Sequence, residues 1–385
     1  MHQTKQILFF LLTAMMLTSC FKSYEPEIVA SDVNKLVVSG VVTDLGGEQT
    51  VTITTSSSIN KPGENPVSGC TVTISDTLGH DFLMTDAGDG NYHGWIDPKY
   101  LVPGNSFKVG ILTPDGNKIV SDYDKISSCP EVDSVYYIRK DLPTIDPGKF
   151  IKGIQFYVDL DGKSTDSHYY RWEAFETWEY HTDYPIEWYY DGKLHHISPP
   201  DYSRMICWLT LLVRNIYTLS STTLNENKYK LYPLNFVDNQ NPRLVYGYSL
   251  LVNQYSISEA AYNYWTLLNI NSTDAGGLYQ RQPLATKGNL HNLTHPDQVV
   301  LGFFGASSVR SKRIFVSNVP NLVMEYPSPC GITPLSPYGF RDTYSSDYPI
   351  YLVGDHNGWQ PFILGKYCVD CLRAFGKNVK PDFWP

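Results

Sequence analysis

Residues 71–75 read TVTIS, inside the run GCTVTISD, with the apolar Val72 and Ile74 alternating with Thr71, Thr73 and Ser75. A period of two turns one set of side chains inward and the other outward, as on a half-buried strand. The same pattern recurs on both sides, in KLVVSGVVT from Lys35, QTVTITT from Gln49, DFLMTDA from Asp81, NYHGWI from Asn91, NSFKVGIL from Asn105 and NKIVSDY from Asn117. Turn-forming pairs separate several of these runs: Leu78-Gly79, Asp89-Gly90, Pro103-Gly104 and Asp115-Gly116. About seven short strands in roughly 95 residues is the spacing of a sandwich, so residues 35–128 are expected to form an immunoglobulin-like or prealbumin-like β-sandwich.

From residue 129 to 385 the pattern is longer and less regular. After SSCPEVDSVYYI, strands are expected in FIKGIQFYVDL, YYRWEAFETWEY, MICWLTLLV, RLVYGYSLLVNQY, QVVLGFFGAS and KRIFVSNV. One helix interrupts them. Ser256 and Glu259 have the spacing of a capping box, and Ile257, Ala261, Tyr264, Trp265 and Leu268 form one stripe at helical period, with Gly276 and Gly277 beyond its end. A stripe of this kind is read as core packing. No internal repeat is long enough for a solenoid or propeller. The expected fold is mainly β, an N-terminal sandwich followed by a larger antiparallel β domain carrying one short helix.

The N-terminal residues MHQTKQILFFLLTAMMLTSC place one cation, Lys5, before an apolar run from Ile7 to Leu17. That is the arrangement of a signal peptide, expected over residues 1–19. The run is too short to span a bilayer, which needs about 20 apolar residues. Leu17, Thr18, Ser19 and Cys20 resemble the lipobox of bacterial lipoproteins, in which the cysteine thiol is acylated. Several acyl chains would anchor the chain durably at about 0.8 kcal/mol per buried methylene. Residues 20–34 are then the lipidated cysteine and a polar leash, in which Glu25 and Glu27 resemble an acidic signal for export to the cell exterior. The expected location is the outer membrane, lipid-anchored, with the periplasmic and the outward face both left open.

Composition narrows the partners. Of the 385 residues, 39 are acidic and 30 basic, a net charge of -9, and the bases are scattered, so nucleic acid is not expected as a ligand. Aromatics make up 14% of the chain and include 29 tyrosines, whereas charged residues are only 18%, usage that favours β-structure and hydrogen-bonding surfaces suited to a glycan or peptide. With Cys20 assigned to lipid, Cys70, Cys129, Cys207, Cys330, Cys368 and Cys371 remain, an even number that allows three disulfides in an exported protein. Cys70 and Cys129 are expected to stay within the first domain, and the later four to staple the second. Cys368 and Cys371 in YCVDC have neither the βαβ setting of a redox pair nor a second close pair for zinc.

Other candidate sites are weaker than their plain readings. Asp159, Asp161 and Asp166 open like a calcium loop but lack its glycine and terminal glutamate, so a polar turn is expected. His195 and His196 would point to opposite faces of a strand. His291 and His295 would converge only on a helix, which Pro296 opposes. No motif of hydrolase, metalloprotease or nucleotide chemistry is legible, so neither a metal, a cofactor nor an enzyme is expected. The densest feature is aromatic: Trp172, Trp178, Tyr180, Tyr184, Trp188, Tyr189 and Tyr190, beside the loop-like DGKLHHISPPDY. These rings could form a ligand or partner platform, but burial in the core or between domains is the preferred reading.

The order of motifs resembles a known family. The lipobox, the sandwich, PEVDSVYYI, ISEAAYNYW, GGLYQRQPLATKGNL, VVLGFFGAS, YCVDC and KPDFW together resemble a Bacteroidetes outer-membrane lipoprotein family catalogued as domain of unknown function 4249. The resemblance covers almost the whole mature chain and supplies no catalytic residues. It implies an accessory ligand-binding or gating role beside a TonB-dependent nutrient transporter. The competing expectation is a structural or adhesive envelope lipoprotein with no part in uptake.

Overall fold

A computed structural model of the protein describes residues 34–57, 63, 65–273, 286–327, 330–331, 333–334, 340–341, 343–354, 362–363, 366–374 and 376–385. The signal peptide, Cys20 and the leash up to residue 33 lie outside the described residues, as does most of GGLYQRQPLATKGNL. Among the described residues the fold is mainly β, in several antiparallel sheets with one α-helix and no closed barrel.

The first unit is built from β1 (Leu36–Thr43), β2 (Gly47–Thr55), β3 (Asn65–Pro66), β4 (Thr71–Asp76), β5 (Asp81–Gly88), β6 (Asn91–Ile96), β7 (Ser106–Leu112), β8 (Lys118–Ser121) and β9 (Asp124–Lys125). Alternation works as the sequence indicates: Val72 and Ile74 of β4 are fully buried while Thr71 is exposed. Val38, Val42, Val51, Ile53, Tyr92, Phe107, Val109 and Ile119 complete the core between the two sheets. β5 turns the corner, pairing with β6 through Thr85–Gly88 and with β4 through Asp81–Met84.

The second unit contains β10 (Ser134–Pro143), β11 (Phe150–Asp161), β12 (Tyr169–His181), β13 (Ile186–Tyr190), β14 (Leu194–Asp201), β15 (Ile206–Leu212), β16 (Tyr217–Ser220), β17 (Lys228–Asp238), β18 (Tyr248–Ser256), α1 (Glu259–Thr273), β19 (Leu290–Asn292), β20 (Leu301–Val316), β21 (Thr333–Pro334), β22 (Ile350–Leu352) and β23 (Phe362–Ile363). The layer of β15 and β16 with β12, β18 and β20 faces the sheet β10-β11-β17. Trp172, Tyr170, Phe156, Tyr248 and Val252 fill the space between them.

A division at residue 128 does not describe how the chain packs. The candidates QVVLGFFGAS and KRIFVSNV are one 16-residue strand, β20, that serves both units. Its first half, Leu301–Ser307, pairs in parallel with β1, and its second half, Ser308–Val316, pairs antiparallel with β18. β19 likewise returns to pair with β8, and Leu290, Val300, Phe304 and Ala306 join the core of the first unit. A sheet of fifteen strands therefore runs through both units. Parallel pairing of β1 with so distant a strand requires a long crossover, and that connection takes in β2–β9 and all of the second unit up to β20.

The helix begins where sequence suggested, but its cap is Ser258. The Ala261 N–H donates to Ser258 Oγ at 3.1 Å. Ser256 is fully buried as the last residue of β18, so it cannot act as the cap. Ile257 and Ala261 are buried, and Tyr264 and Trp265 pack beside them against Tyr255, Phe303 and Val309.

The later four cysteines form two disulfides, Cys207–Cys371 and Cys330–Cys368, which tie β15 and the C-terminal turns around the small sheet β14-β13-β22. The third bridge expected between Cys70 and Cys129 is not made, and both are free and buried. Cys70 opens β4 in the first core, its N–H bonded to the Tyr92 hydroxyl, whereas the Cys129 thiol donates to the Gln254 carbonyl of β18 in the second unit. Burial, the larger influence in both, raises each thiol above its ordinary value, as expected of inert packing cysteines.

Candidate ligand-binding site at the joint of the two units

The seven aromatic residues singled out from sequence do not share one face. Alternation along β12 sends Trp172 and Trp178 into the core, and Trp172 Nε1 donates to Gln254 Oε1 at 3.0 Å. Neither can meet a ligand. Tyr180 donates to the Tyr367 carbonyl at 2.9 Å, and Tyr184 packs beside the Cys330–Cys368 bridge. Across the β13–β14 hairpin Tyr189 stacks on His195, with ring centroids 4.5 Å apart, and Trp188 packs tilted against His196 at 4.4 Å. Tyr190 stacks on Phe340 at 3.8 Å. These rings bind the hairpin to its own neighbours. The two histidines do fall on opposite faces, each against a different ring.

Asp159 and Asp161 of the VDLDGKSTD loop are held by neighbouring groups of the fold. Asp159 accepts from the Leu231 N–H, the Tyr136 hydroxyl and Lys230 Nζ, and Asp161 pairs with Lys228 at 3.2 Å. Burial opposes ionisation of Asp159, but these donors outweigh it and hold its carboxyl below the usual range. His291 pairs with Asp122 rather than with His295. Among the described residues no cluster of three His, Cys, Asp or Glu side chains could hold a metal, and no helix is long and apolar enough to cross a membrane.

What sequence reading passed over is the opposite face of β12. Because Tyr170, Trp172 and Ala174 point into the core, Arg171 and Glu173 must point the other way. There they meet Tyr255 of β18, which pairs with Arg171 in register. The Arg171 guanidinium lies 2.5 Å from Glu173 and 4.0 Å above the Trp265 ring of α1, and Tyr255 donates to Glu173 at 2.6 Å. Arg171 Nε is buried with no hydrogen-bond partner among the described residues. Burial, followed by the Glu173 charge, pushes the Tyr255 phenol far above its ordinary value, so it remains a donor at neutral pH.

These groups form one wall of a cavity of about 290 Å³. Its floor is the outer face of β1 and β2, with Ser39, Val41, Thr50 and Thr52, and its roof is Ala261, Tyr264 and Trp265 of α1. Phe303 and Gly305 of β20 close one side. Asp124 lies at the margin, its carboxylate accepting the Ala306 N–H at 2.8 Å. Burial raises the Asp124 carboxyl above its usual value, partly offset by hydrogen bonds from Ser258 and Ala306. An apolar recess with a few convergent polar groups between two structural units is the form ligand sites commonly take.

Asp124 gives a first test. Its raised folded value means that the native state keeps a proton which the unfolded chain releases, so stability falls as pH rises above 3.8 toward the folded value. Above that window the cost is fully present. Asp124→Asn keeps an acceptor for Ala306 without the charge. Its Tm is expected to exceed the parent's at pH 7, with the difference shrinking steadily toward pH 4. Parallel Tm curves over that range would show that the carboxyl does not titrate in this way.

The fold defines a mainly β protein whose two units share one sheet and enclose a recess at their joint. The chain belongs to the family described as Domain of unknown function (DUF4249), whose model matches residues 22–313. No curated protein matches it. Among solved structures it is similar to trypsin-activated alpha-2-macroglobulin from Escherichia coli, at 8% identity and a TM-score of 0.20, over 84% of this chain and 18% of that one. It is also similar to the chain described as manganese lipoxygenase of Gaeumannomyces graminis with partial zonadhesin of Komagataella pastoris, at 10% identity and a TM-score of 0.15, over 58% of this chain and 89% of that one. The chain thus spans less than a fifth of the first of these.

Proposed function

We propose that this chain is a lipid-tethered accessory protein of the outer membrane that captures a small ligand at its joint and passes it to a TonB-dependent transporter. The observation that carries the proposal is the recess between α1 and the shared sheet, where Arg171, Glu173 and Tyr255 converge beside Trp265. Its chemistry is that of binding. Arg171 and Glu173 neutralise each other, and Tyr255 holds its proton far above neutral pH, so the wall offers hydrogen bonds and aromatic faces. The tether rests on the sequence ending in Cys20, and the leash would leave the folded units free to meet a membrane partner.

Affinity purification of the tagged, full-length protein from outer membranes in mild detergent should recover a β-barrel TonB-dependent transporter. Cys20→Ser should release the protein from the membrane fraction and lose at least about 90% of that recovery, since a single change removes every acyl anchor. A parent protein that brings down no such barrel would overturn the proposal.

A further inference from the structure

The recess shares its face of the sheet with a second, open depression. Outer-face residues align across the sheet: Phe303 of β20 stands beside Ser39 of β1, Ser39 beside Thr52 of β2, and Thr52 beside Asn91 of β6. The neighbouring row carries Thr50 beside His93, and His93 beside Thr85 of β5. Next comes Glu48 beside Trp95. α1 roofs only the β20-β1-β2 end. Beyond it the face is open, forming a shallow depression lined by Glu48, Thr85, His93, Trp95 and Leu83. Trp95 is 69% exposed, although tryptophan is a residue that folding normally covers.

We infer that the recess and the open depression act as one groove that binds a linear, uncharged oligosaccharide, its terminal units under α1 and its following units across Thr50 and His93 onto Trp95. The inference rests on the capture role proposed above and names its ligand. The chemistry of the face selects the class. A pyranose ring offers an apolar C–H face that stacks on an indole and a rim of hydroxyls that need both donors and acceptors. The open face supplies both kinds of surface: the Trp95 ring, and the polar groups of Thr50, His93 and Glu48, with Glu48 3.2 Å from His93 Nδ1. Anionic ligands are disfavoured, because the open depression carries Glu48 and Asp86 and, among the described residues, no lysine or arginine. An extended peptide would seek an unpaired strand edge, but β2 carries β1 against Val51–Thr55 and β6 against Gly47–Thr52. A lipid chain would strip water from Thr50, His93 and Glu48 and offer them no hydrogen bonds in return.

Strand spacing sets a length. Adjacent strands lie about 4.8 Å apart, close to the advance of one sugar unit in an extended glycan. From β20 to β5 is four such steps, so the groove should be filled by about four units.

The test is calorimetric titration of the full chain with neutral oligosaccharides of two to six units, drawn from β-1,4-glucan, β-1,3-glucan, β-1,4-mannan, β-1,4-xylan and α-1,4-glucan series. At least one series should bind, with Kd falling at each added unit up to about four and then levelling. Trp95→Ala, at an exposed position that leaves the core intact, should weaken the tetramer about tenfold and leave the dimer unchanged. Trp95→Tyr should recover most of the loss. Absence of binding in every series, or a tetramer indifferent to Trp95→Ala, would overturn the inference. If the parent still recovers a transporter in that event, only the ligand class falls. If glycans bind but no transporter is recovered, the groove stands and the accessory role falls.

Discussion

Gly302→Ala is expected to cost at least about 3 kcal/mol of folding stability. Gly302 has φ +99, a backbone region that a side chain rarely enters, and a Cβ placed there would lie 1.9 Å from the Val38 carbonyl oxygen. Backbone cannot withdraw from such a contact as a flexible side chain can, so the parallel pairing of Val38 with Gly302 would have to open. That pairing lies at the start of the half of β20 that is held against β1. Gly288 approaches from the other direction, with its own added Cβ only 1.6 Å from the Gly302 carbonyl. Three stretches of main chain are therefore stacked without room for a methyl group. Chemical denaturation should give the stability loss, and hydrogen exchange should rise in β1 and β20 first. Gly116→Ala is the comparison, with φ +89 and open space around it. It should lose only the conformational term, about 1–2 kcal/mol. Equal losses in the two variants would mean that close approach contributes nothing.

The motif VVLGFFGAS shows what sequence could and could not convey. Its apolar run marks a buried strand, and that much is legible from composition. Nothing local says that it pairs with a strand at residue 37, since the partner lies across that long crossover. For the same reason an alternation rule that finds β1 to β8 also ends the first unit too early. Seven strands near residues 35–125 look sufficient for a sandwich, yet Leu290, Val300 and Phe304 are needed to finish its core. β17 was invisible for a different cause: KYKLYPLNFVD contains a proline and mixed polarity, and it earns its place by pairing along β11. In the site, the rings of β12 drew attention by their number, but period two assigns Trp172 and Trp178 to the core. The informative residue was the one between Tyr170 and Trp172. Arg171 is a charge in a strand of rings, and alternation alone turns it away from the core. Trp265 was legible as part of the α1 stripe, and its second role over a guanidinium depends on where the helix docks. The exposure of Trp95 has a local signal, since Tyr92 and Ile96 of NYHGWI face inward and leave Trp95 on the outer parity.

Arg171→Ala should both destabilise the joint and weaken ligand capture. Removing one member of a buried ion pair costs about 3–5 kcal/mol when the other is left uncompensated. Here Arg171 and Glu173 are 15% and 24% exposed, so water recovers part of the cost. The stacking of the guanidinium on Trp265 adds about 0.5–1 kcal/mol, and a total near 2–3 kcal/mol is expected. The loss should be local in its first effects. Hydrogen exchange should rise through α1, because its Trp265 ring no longer rests on a fixed charge, while the disulfide-stapled C-terminal sheet stays protected. Arg171→Lys separates charge from shape: an ammonium can still meet Glu173, but it cannot lie flat on an indole. It should recover most of the stability and little of the binding. Glu173→Gln leaves the Tyr255 hydroxyl an acceptor, and combined with Arg171→Ala it should show a coupling of at least about 1 kcal/mol in a double-mutant cycle. Additive losses would mean that Arg171 acts through packing alone. In that case the recess would be a seam between two units, and Trp265 would be no more than its cover.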